Sequence, residues 1–136
     1  SSLIFDHPLT VKCEQGTFPT PGLTDGELGL PVNYYYGWNI LPYREISINI
    51  PTKGATTIAM NFFSYIRHRI QVPSKIELYS GNKLLHSERW DTPARDGAFQ
   101  TRWEKELRGH AGGTITLKLY SSGKYHIAID EILLTN

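Results

Sequence analysis

Aromatic rings and hydrogen-bonding cations recur in the turn-rich parts of this sequence, and they are the side chains best suited to bind a ligand. Tyr34–Tyr36 and Trp38 form a dense aromatic cluster, and Arg67, His68 and Arg69 form a cationic one. Neighbouring side chains on a strand point to opposite faces, so some of these rings must lie at the surface or in a loop. Arginine offers a planar fork of donors, and histidine offers one donor and one acceptor.

The composition limits the class of protein. The 136 residues carry a formal net charge of +1, which disfavours nucleic-acid binding, and no stretch is long and apolar enough for membrane insertion. The 12 glycines, 8 prolines and 12% aromatic residues are typical of a turn-rich, all-β domain. The single cysteine, Cys13, cannot form an internal disulfide. We therefore expect one soluble domain over residues 1–136.

Hydrophobic alternation predicts the strands. Ile46, Ile48 and Ile50 alternate with polar residues, which is the pattern of a half-buried strand. Residues 3–14 are expected to form an edge segment, and the two prolines in residues 18–22 predict irregular structure there. The further predicted strands are 56–66, 75–79, 84–90, 101–108, 114–120 and 126–134. A phase change in the last strand predicts a β-bulge near residues 130–131.

About eight short strands with regular turn signals predict an antiparallel two-sheet jelly-roll sandwich. Alternate loops should then lie at the same end of the sandwich. This reasoning brings loops 31–43, 67–73, 91–100 and 121–126 to one end, together with most of the rings and cations. A pyranose has a weakly apolar face and many hydroxyls, so rigid rings and fixed donors suit it. The predicted carbohydrate-binding residues are Tyr36, Trp38, Arg67, His68, Arg69, Trp90, Arg95, Tyr125 and His126.

Several short motifs resemble those of a known group of β-sandwiches. These motifs are Leu-Thr-Asp-Gly at residues 23–26, Gly-Trp at 37–38, the alternating strand at 46–50, the proline-headed strand at 72–79 and Ile-Asp-Glu-Ile at 129–132. Together they resemble the galactose-binding-like group, which includes the discoidin (coagulation-factor type C) domains and carbohydrate-binding modules of glycoside hydrolases. The resemblance spans roughly residues 9–134.

The resemblance implies a non-catalytic, lectin-like module that binds a glycan, as part of a larger secreted glycan-active enzyme with a catalytic domain in the same parent chain. It also implies a structural calcium ion, for which Asp25 and Glu131 occupy the matching positions. The expected location is secreted or cell-surface, with the periplasm as an alternative. The chain departs from the group at Asn49-Ile50-Pro51, where members usually have Asp-Leu-Gly, and it lacks the paired cysteines of the discoidin branch.

Other interpretations stay open at this point. The main alternative is a structural or protein-interaction sandwich whose aromatic residues pack against a neighbouring domain. A jelly-roll polysaccharide lyase or glycosidase is a further alternative, although the common nucleophile, phosphate-loop and zinc motifs are absent. Trp38 could plug the core instead of stacking on a sugar, and His86 and Trp103 are expected to be structural because they lie within strands.

Overall fold

The computed structural model describes residues 2–4, 9–13, 16–20, 45–52, 54–91, 97–108, 113–121, 125 and 127–135. Side chains are described from residue 45 onward within these ranges, except at 68, 128, 130 and 131. Ten strands are described: β1 (Ser2–Ile4), β2 (Leu9–Cys13), β3 (Gly16–Thr20), β4 (Glu45–Pro51), β5 (Thr57–Tyr65), β6 (Lys75–Ser80), β7 (Lys83–Arg89), β8 (Ala98–Glu106), β9 (Thr114–Tyr120) and β10 (Ala128–Thr135).

The strands form two antiparallel sheets with jelly-roll topology. The four-stranded sheet has the order β1-β10-β5-β8, and the six-stranded sheet has the order β3-β2-β4-β9-β6-β7. When the β2–β3 hairpin is set aside, eight of the ten strands remain. They pair in the orders first-eighth-third-sixth and second-seventh-fourth-fifth, which is a jelly roll. The all-β, two-sheet prediction is confirmed, and the hairpin accounts for the two additional strands.

The core lies between the two sheets and follows the alternation in the sequence. Ile46, Ile48 and Ile50 of β4 are fully buried, and so are Ile115 and Leu117 of β9. The four-stranded sheet supplies the opposite wall of the core: Ile58, Met60, Phe62, Trp103, Ile129, Ile132 and Leu134. The burial of Trp103, at 3% exposure, confirms its expected core position.

The predicted bulge in the last strand is present. Ile129 pairs with Phe62, whereas Glu131 pairs with Asn61, the next residue along β5. One additional residue of β10 is therefore accommodated at this point, which lets both Ile129 and Ile132 face the core. The phase change in the sequence was a correct signal of this irregularity.

The expectation of irregular structure at residues 18–22 was wrong for its first part. Pro19 lies within β3, opposite Thr10 of β2. A proline cannot donate a hydrogen bond to a second neighbouring strand, but β3 is the outermost strand of its sheet and needs no donor on that side. The position of the strand in the sheet therefore makes the proline compatible with regular structure.

The single edge segment expected over residues 3–14 was also wrong in part. The structure divides it into β1, at the edge of the four-stranded sheet, and β2, which lies between β3 and β4 in the other sheet. Only the first of these is an edge strand. The two strands thus contribute to opposite layers of the sandwich.

The strand register decides which loops share an end. Glu45, Lys75 and Arg89 lie level with Tyr120 in the six-stranded sheet, while Tyr65 lies level with Ala98 in the other sheet. The connections β5–β6, β7–β8 and β9–β10 therefore reach the same end, as the connectivity argument predicted. We call it the arginine end, after Arg67, Arg69 and Arg89. The connections β4–β5, β6–β7 and β8–β9 lie at the opposite end.

Candidate functional site

Backbone hydrogen bonds hold three strand ends together at the arginine end. The amide of Ser74 donates to the carbonyl of Tyr120 at 2.8 Å, and the hydroxyl of Ser74 donates to the same oxygen at 3.0 Å. The amide of Trp90 in turn donates to the carbonyl of Ser74 at 3.0 Å. The ends of β7 and β9 are therefore fixed relative to the start of β6, so side chains carried here have defined positions.

A tight turn after β5 presents two arginines. Tyr65 and Ile70 form an antiparallel bridge through reciprocal backbone hydrogen bonds of 2.9 and 3.2 Å, and the 3-10 turn Ile66–His68 lies between them. Ile70 is 2% exposed and anchors the turn in the core, whereas Arg67 and Arg69 are exposed. The turn therefore holds both guanidinium groups at the surface on a short, hydrogen-bonded tip.

Arg69 has an uncommon backbone conformation. Its φ of 58° and ψ of 37° place it in the left-handed region, and it is the only non-glycine residue with positive φ in the described part of the chain. Its amide closes the turn by donating to the carbonyl of Ile66 at 2.9 Å. Residues other than glycine, asparagine and aspartate rarely adopt this conformation, and such outliers concentrate at functional sites.

Two of the predicted aromatic site residues are also described at this end, and both are half-buried. The ring of Trp90 packs against that of Phe62 with a centroid distance of 5.3 Å and an interplanar angle of 55°. Trp90 therefore packs against the core with one part of its surface, while the remainder is accessible. Tyr125 precedes β10 and is half-buried as well.

The structure thus brings four of the predicted residues to one end of the sandwich: Arg67, Arg69, Trp90 and Tyr125. His68 belongs to the same turn, but its side chain is outside the described atoms. Tyr36, Trp38, Arg95 and His126 lie outside the described residues. The predicted calcium ligand Asp25 is also outside them, and Glu131 is described only through its backbone in β10. No group of three or more potential metal ligands occurs among the described residues.

The outer face of the six-stranded sheet carries a polar cluster that the sequence analysis missed. Glu77 is 7% exposed. Its Oε1 accepts hydrogen bonds from the hydroxyls of Tyr120 at 2.5 Å and Tyr79 at 3.0 Å, and its Oε2 lies 3.3 Å from the ammonium of Lys75. The ammonium groups of Lys75 and Lys118 lie 5.1 Å from the ring centroids of Tyr120 and Tyr79, respectively. We call these five residues the Glu77 network.

The electrostatics of the Glu77 network follow from these contacts. The hydrogen bond from Tyr120 is the largest influence holding the pKa of Glu77 below its ordinary value of 4.5, with smaller contributions from Tyr79 and Lys75. Burial is the largest influence raising the pKa of Tyr120, followed by its bond to Glu77. The signal was present in the sequence, because Lys75, Glu77 and Tyr79 occupy alternate positions of one strand and so share a face.

A groove of about 740 Å³ runs along the side of the sandwich where β7 and β8 are edge strands. Its lining includes Lys83, Leu84, His86, Glu104 and Lys105. Nearby, the indole of Trp103 donates to Glu88 Oε1 at 2.5 Å, and His86 Nε2 lies 3.3 Å from the same oxygen. The carboxylate of Glu88 in β7 is therefore engaged by the indole of Trp103 in β8, which links the two strands.

Comparisons with known proteins show only a structural similarity. No protein-family model matches the chain. No curated protein matches its sequence. Among solved structures, the chain is similar to one titled as the K2 cleaved adhesin domain of Lys-gingipain (Kgp), with 12% sequence identity and a TM-score of 0.47. The match covers 71% of this chain and 65% of that chain, which is less than two thirds of its length. In the described part of the chain, no helix has the length and hydrophobicity needed to cross a membrane.

Proposed function

We propose that this protein is a non-catalytic accessory module that binds a glycan at its arginine end. The observation that carries the proposal is the convergence of exposed guanidinium groups and half-buried rings on one end of a rigid sandwich. Arg67 and Arg69 supply donors on a fixed turn, while Trp90 and Tyr125 supply ring surface. Such a surface suits a ligand with both hydroxyls and a weakly apolar face.

The same proposal includes the family and the setting. Membership of the galactose-binding-like group fits a jelly-roll topology and the sequence motifs, and it would make this chain one domain of a larger secreted or cell-surface protein. We expect weak binding, because a shallow site buries little area and must still order the ligand.

A glycan-binding test uses affinity electrophoresis of the protein through gels that contain neutral and acidic polysaccharides. We expect retardation by at least one polysaccharide and no turnover of any of them. Replacing Tyr125 or Trp38 by alanine should lower the affinity obtained from that retardation about tenfold, which corresponds to the loss of one or two aromatic contacts. Leu84→Ala is the matched control, because Leu84 is 48% exposed on the groove and away from the arginine end.

The outcomes of this test separate the alternatives. Unretarded migration through every polysaccharide would contradict glycan binding. Release of reducing or unsaturated sugar by the purified protein would indicate an enzyme instead. Equal weakening by Tyr125→Ala and Leu84→Ala would show that binding does not depend on the arginine end.

A protein-binding role is the second candidate, and the groove between β7 and β8 favours it. Both strands are sheet edges with no further strand paired to them among the described residues, and the exposed Leu84 lines the groove. Edges of this kind can pair with an extended segment of another protein. Loss of attachment to a neighbouring domain in Leu84→Ser, with glycan retardation unchanged, would assign this role to the groove.

We also propose that a structural calcium ion is held with the help of Asp25 and Glu131. Support comes from the oxygen chemistry of the two carboxylates and from the bulge that precedes Glu131 in β10. A bound ion stabilises the folded state, so adding a chelator should lower the melting midpoint and adding calcium should restore it. The Asp25→Asn variant should show no response to the chelator. An unchanged midpoint in the parent protein would remove both residues from the metal site.

A further inference from the structure

The described arginines divide into two groups according to their position. Arg102 and Arg108 of the β8 region pair with Glu104 and Glu106, with Nε to oxygen distances of 2.5 and 2.7 Å. The other described arginines are Arg67, Arg69 and Arg89, all exposed and all at the arginine end. None of these three has an ion-pair partner in the described part of the chain.

The described carboxylates at this end do not offset these charges. Glu45, level with Tyr120, lies 3.7 Å from the ammonium of Lys118 and is engaged there. Asp91 is exposed and follows β7 after Arg89. The described charged side chains at this end therefore leave an excess of positive charge, although the whole chain carries only +1. A local excess of this kind attracts anions more strongly than the net charge would suggest.

The backbone of the turn strengthens the argument. An arginine in the left-handed conformation costs free energy that a glycine at the same position would avoid. Arg69 nevertheless occupies this position, with its side chain exposed and without an ion-pair partner among the described residues. An exposed guanidinium at a position where its residue type is unfavourable points to a ligand outside the chain.

We propose that the glycan bound at the arginine end is anionic, and that Arg67 and Arg69 contact its carboxylate or sulfate groups. This inference rests on the proposed glycan-binding function and narrows its ligand class. A guanidinium presents two parallel donors that match the two oxygens of a carboxylate or sulfate, and hydrogen bonds between charged groups are stronger than those to neutral hydroxyls. Two such forks on one short turn could engage charges on successive sugar units of an acidic polysaccharide.

The test compares polysaccharides that differ in charge and share a backbone. Polygalacturonate is compared with its fully methyl-esterified form, and a sulfated galactan is compared with a neutral one. We measure affinity by isothermal titration calorimetry for the parent protein and for Arg67→Gln and Arg69→Gln. Each substitution should weaken binding to the charged polymer about tenfold, the value of one hydrogen bond between charged groups. Binding to the neutral polymer should change by less than about twofold.

Two control variants distinguish bidentate hydrogen bonding by a guanidinium from general electrostatic attraction. Lys83→Gln removes an exposed cation at the opposite end and should leave affinity unchanged. Arg67→Lys keeps the charge but loses the planar fork, so it should recover only part of the affinity. The preferred polymer pair then distinguishes the source of the anion, carboxylate or sulfate.

Each result bears on a different proposal. Equal affinity for charged and neutral polymers, or equal losses in Lys83→Gln and Arg67→Gln, would overturn the inference of an anionic ligand and leave glycan binding in place. Failure to bind any polymer of either kind would contradict the proposed function itself. Tenfold losses of affinity that occur only in Arg67→Gln and Arg69→Gln, and only with charged polymers, would support both proposals.

Discussion

The Glu77 network and the arginine end both concentrate charge and aromatic rings, but they use them differently. On the sheet face, the carboxylate of Glu77 accepts two tyrosine hydroxyls and an ammonium group, and the lysines lie over the rings. At the arginine end, the guanidinium groups of Arg67 and Arg69 have no such partners among the described residues.

This contrast distinguishes structural polar residues from ligand-binding ones. A polar group whose hydrogen-bonding capacity is satisfied inside the chain gains little from a ligand, because the ligand would have to replace existing bonds. An exposed group with unused donors, held on a rigid element, can bind a ligand at small cost in ordering. The contacts of the Glu77 network therefore indicate a role in stability, and the contrast supports the proposed role of the arginine end in recognition.

Replacing Glu77 by glutamine should have the largest effect on stability. The variant loses the ion pair with Lys75 and converts two charge-assisted hydrogen bonds into neutral ones, so we expect the free energy of unfolding to fall by about 1.5 kcal/mol at neutral pH. Because the pKa of Glu77 is lowered in the folded protein, its contribution is present above the ordinary value of 4.5 and is lost as the pH falls through the folded pKa. Glu77→Gln should therefore lack this part of the acid-induced loss of stability.

Urea denaturation over a range of pH measures this effect, with Glu104→Gln as the matched control. Glu104 also pairs with a cation, but its side chain is 55% exposed, so its loss should change stability by less than about 0.5 kcal/mol. Glycan affinity should be unaffected in both variants. A weakened affinity in Glu77→Gln would show that the Glu77 network belongs to the binding site and is not purely structural.

Replacing Arg69 by glycine should have a smaller and opposite effect on stability. Glycine adopts positive φ without steric strain, and this gain exceeds its larger entropy in the unfolded chain, so the free energy of unfolding should rise by about 0.5 kcal/mol. Affinity for the anionic glycan should fall at the same time. Thermal denaturation and calorimetric binding on one preparation measure the two changes together.

Gly54→Ala provides the reference for the backbone effect. Gly54 has a φ of +78°, and a Cβ there would meet nothing within 4 Å, so alanine should destabilise the protein by about 1 kcal/mol through conformation alone. If Arg69→Gly lowered stability instead of raising it, the Arg69 side chain would be contributing to the fold. The contrast with the Glu77 network would then disappear.

Much of the architecture could be predicted from local pattern. The alternation of Ile115, Leu117 and Leu119 with polar residues predicted β9 with the bounds that the structure has, and the phase change before Ile132 predicted the bulge. Both predictions depend on the period of two along a strand, which is visible in any short segment. The grouping of loops at one end followed from the number of antiparallel strands.

Local pattern was insufficient where a residue's role depends on its neighbours in space. Pro19 argued against a strand, and only the outermost position of β3 makes it acceptable. The contact between Trp90 and Phe62 was not visible in the sequence either, and the binding role of Trp90 stays a prediction. The sequence shows that such a residue follows a strand, but it does not show which side chain of the opposite sheet lies beneath it.

Sequence alone was sufficient for the all-β class, for the positions of the strands from β4 onward and for the end of the sandwich to which each described loop belongs, because alternation and chain direction are local properties. It was not sufficient for the division of the N-terminal part into β1, β2 and β3. The pairing of charges across the sheet depends on which strands become neighbours in the folded chain. Tyr120 and Glu77 are separated by 43 positions, and their hydrogen bond exists because β6 and β9 are neighbours in one sheet. Arg67 and Arg69 lie on the turn that follows the end of β5, and neither has an ion-pair partner in the described structure.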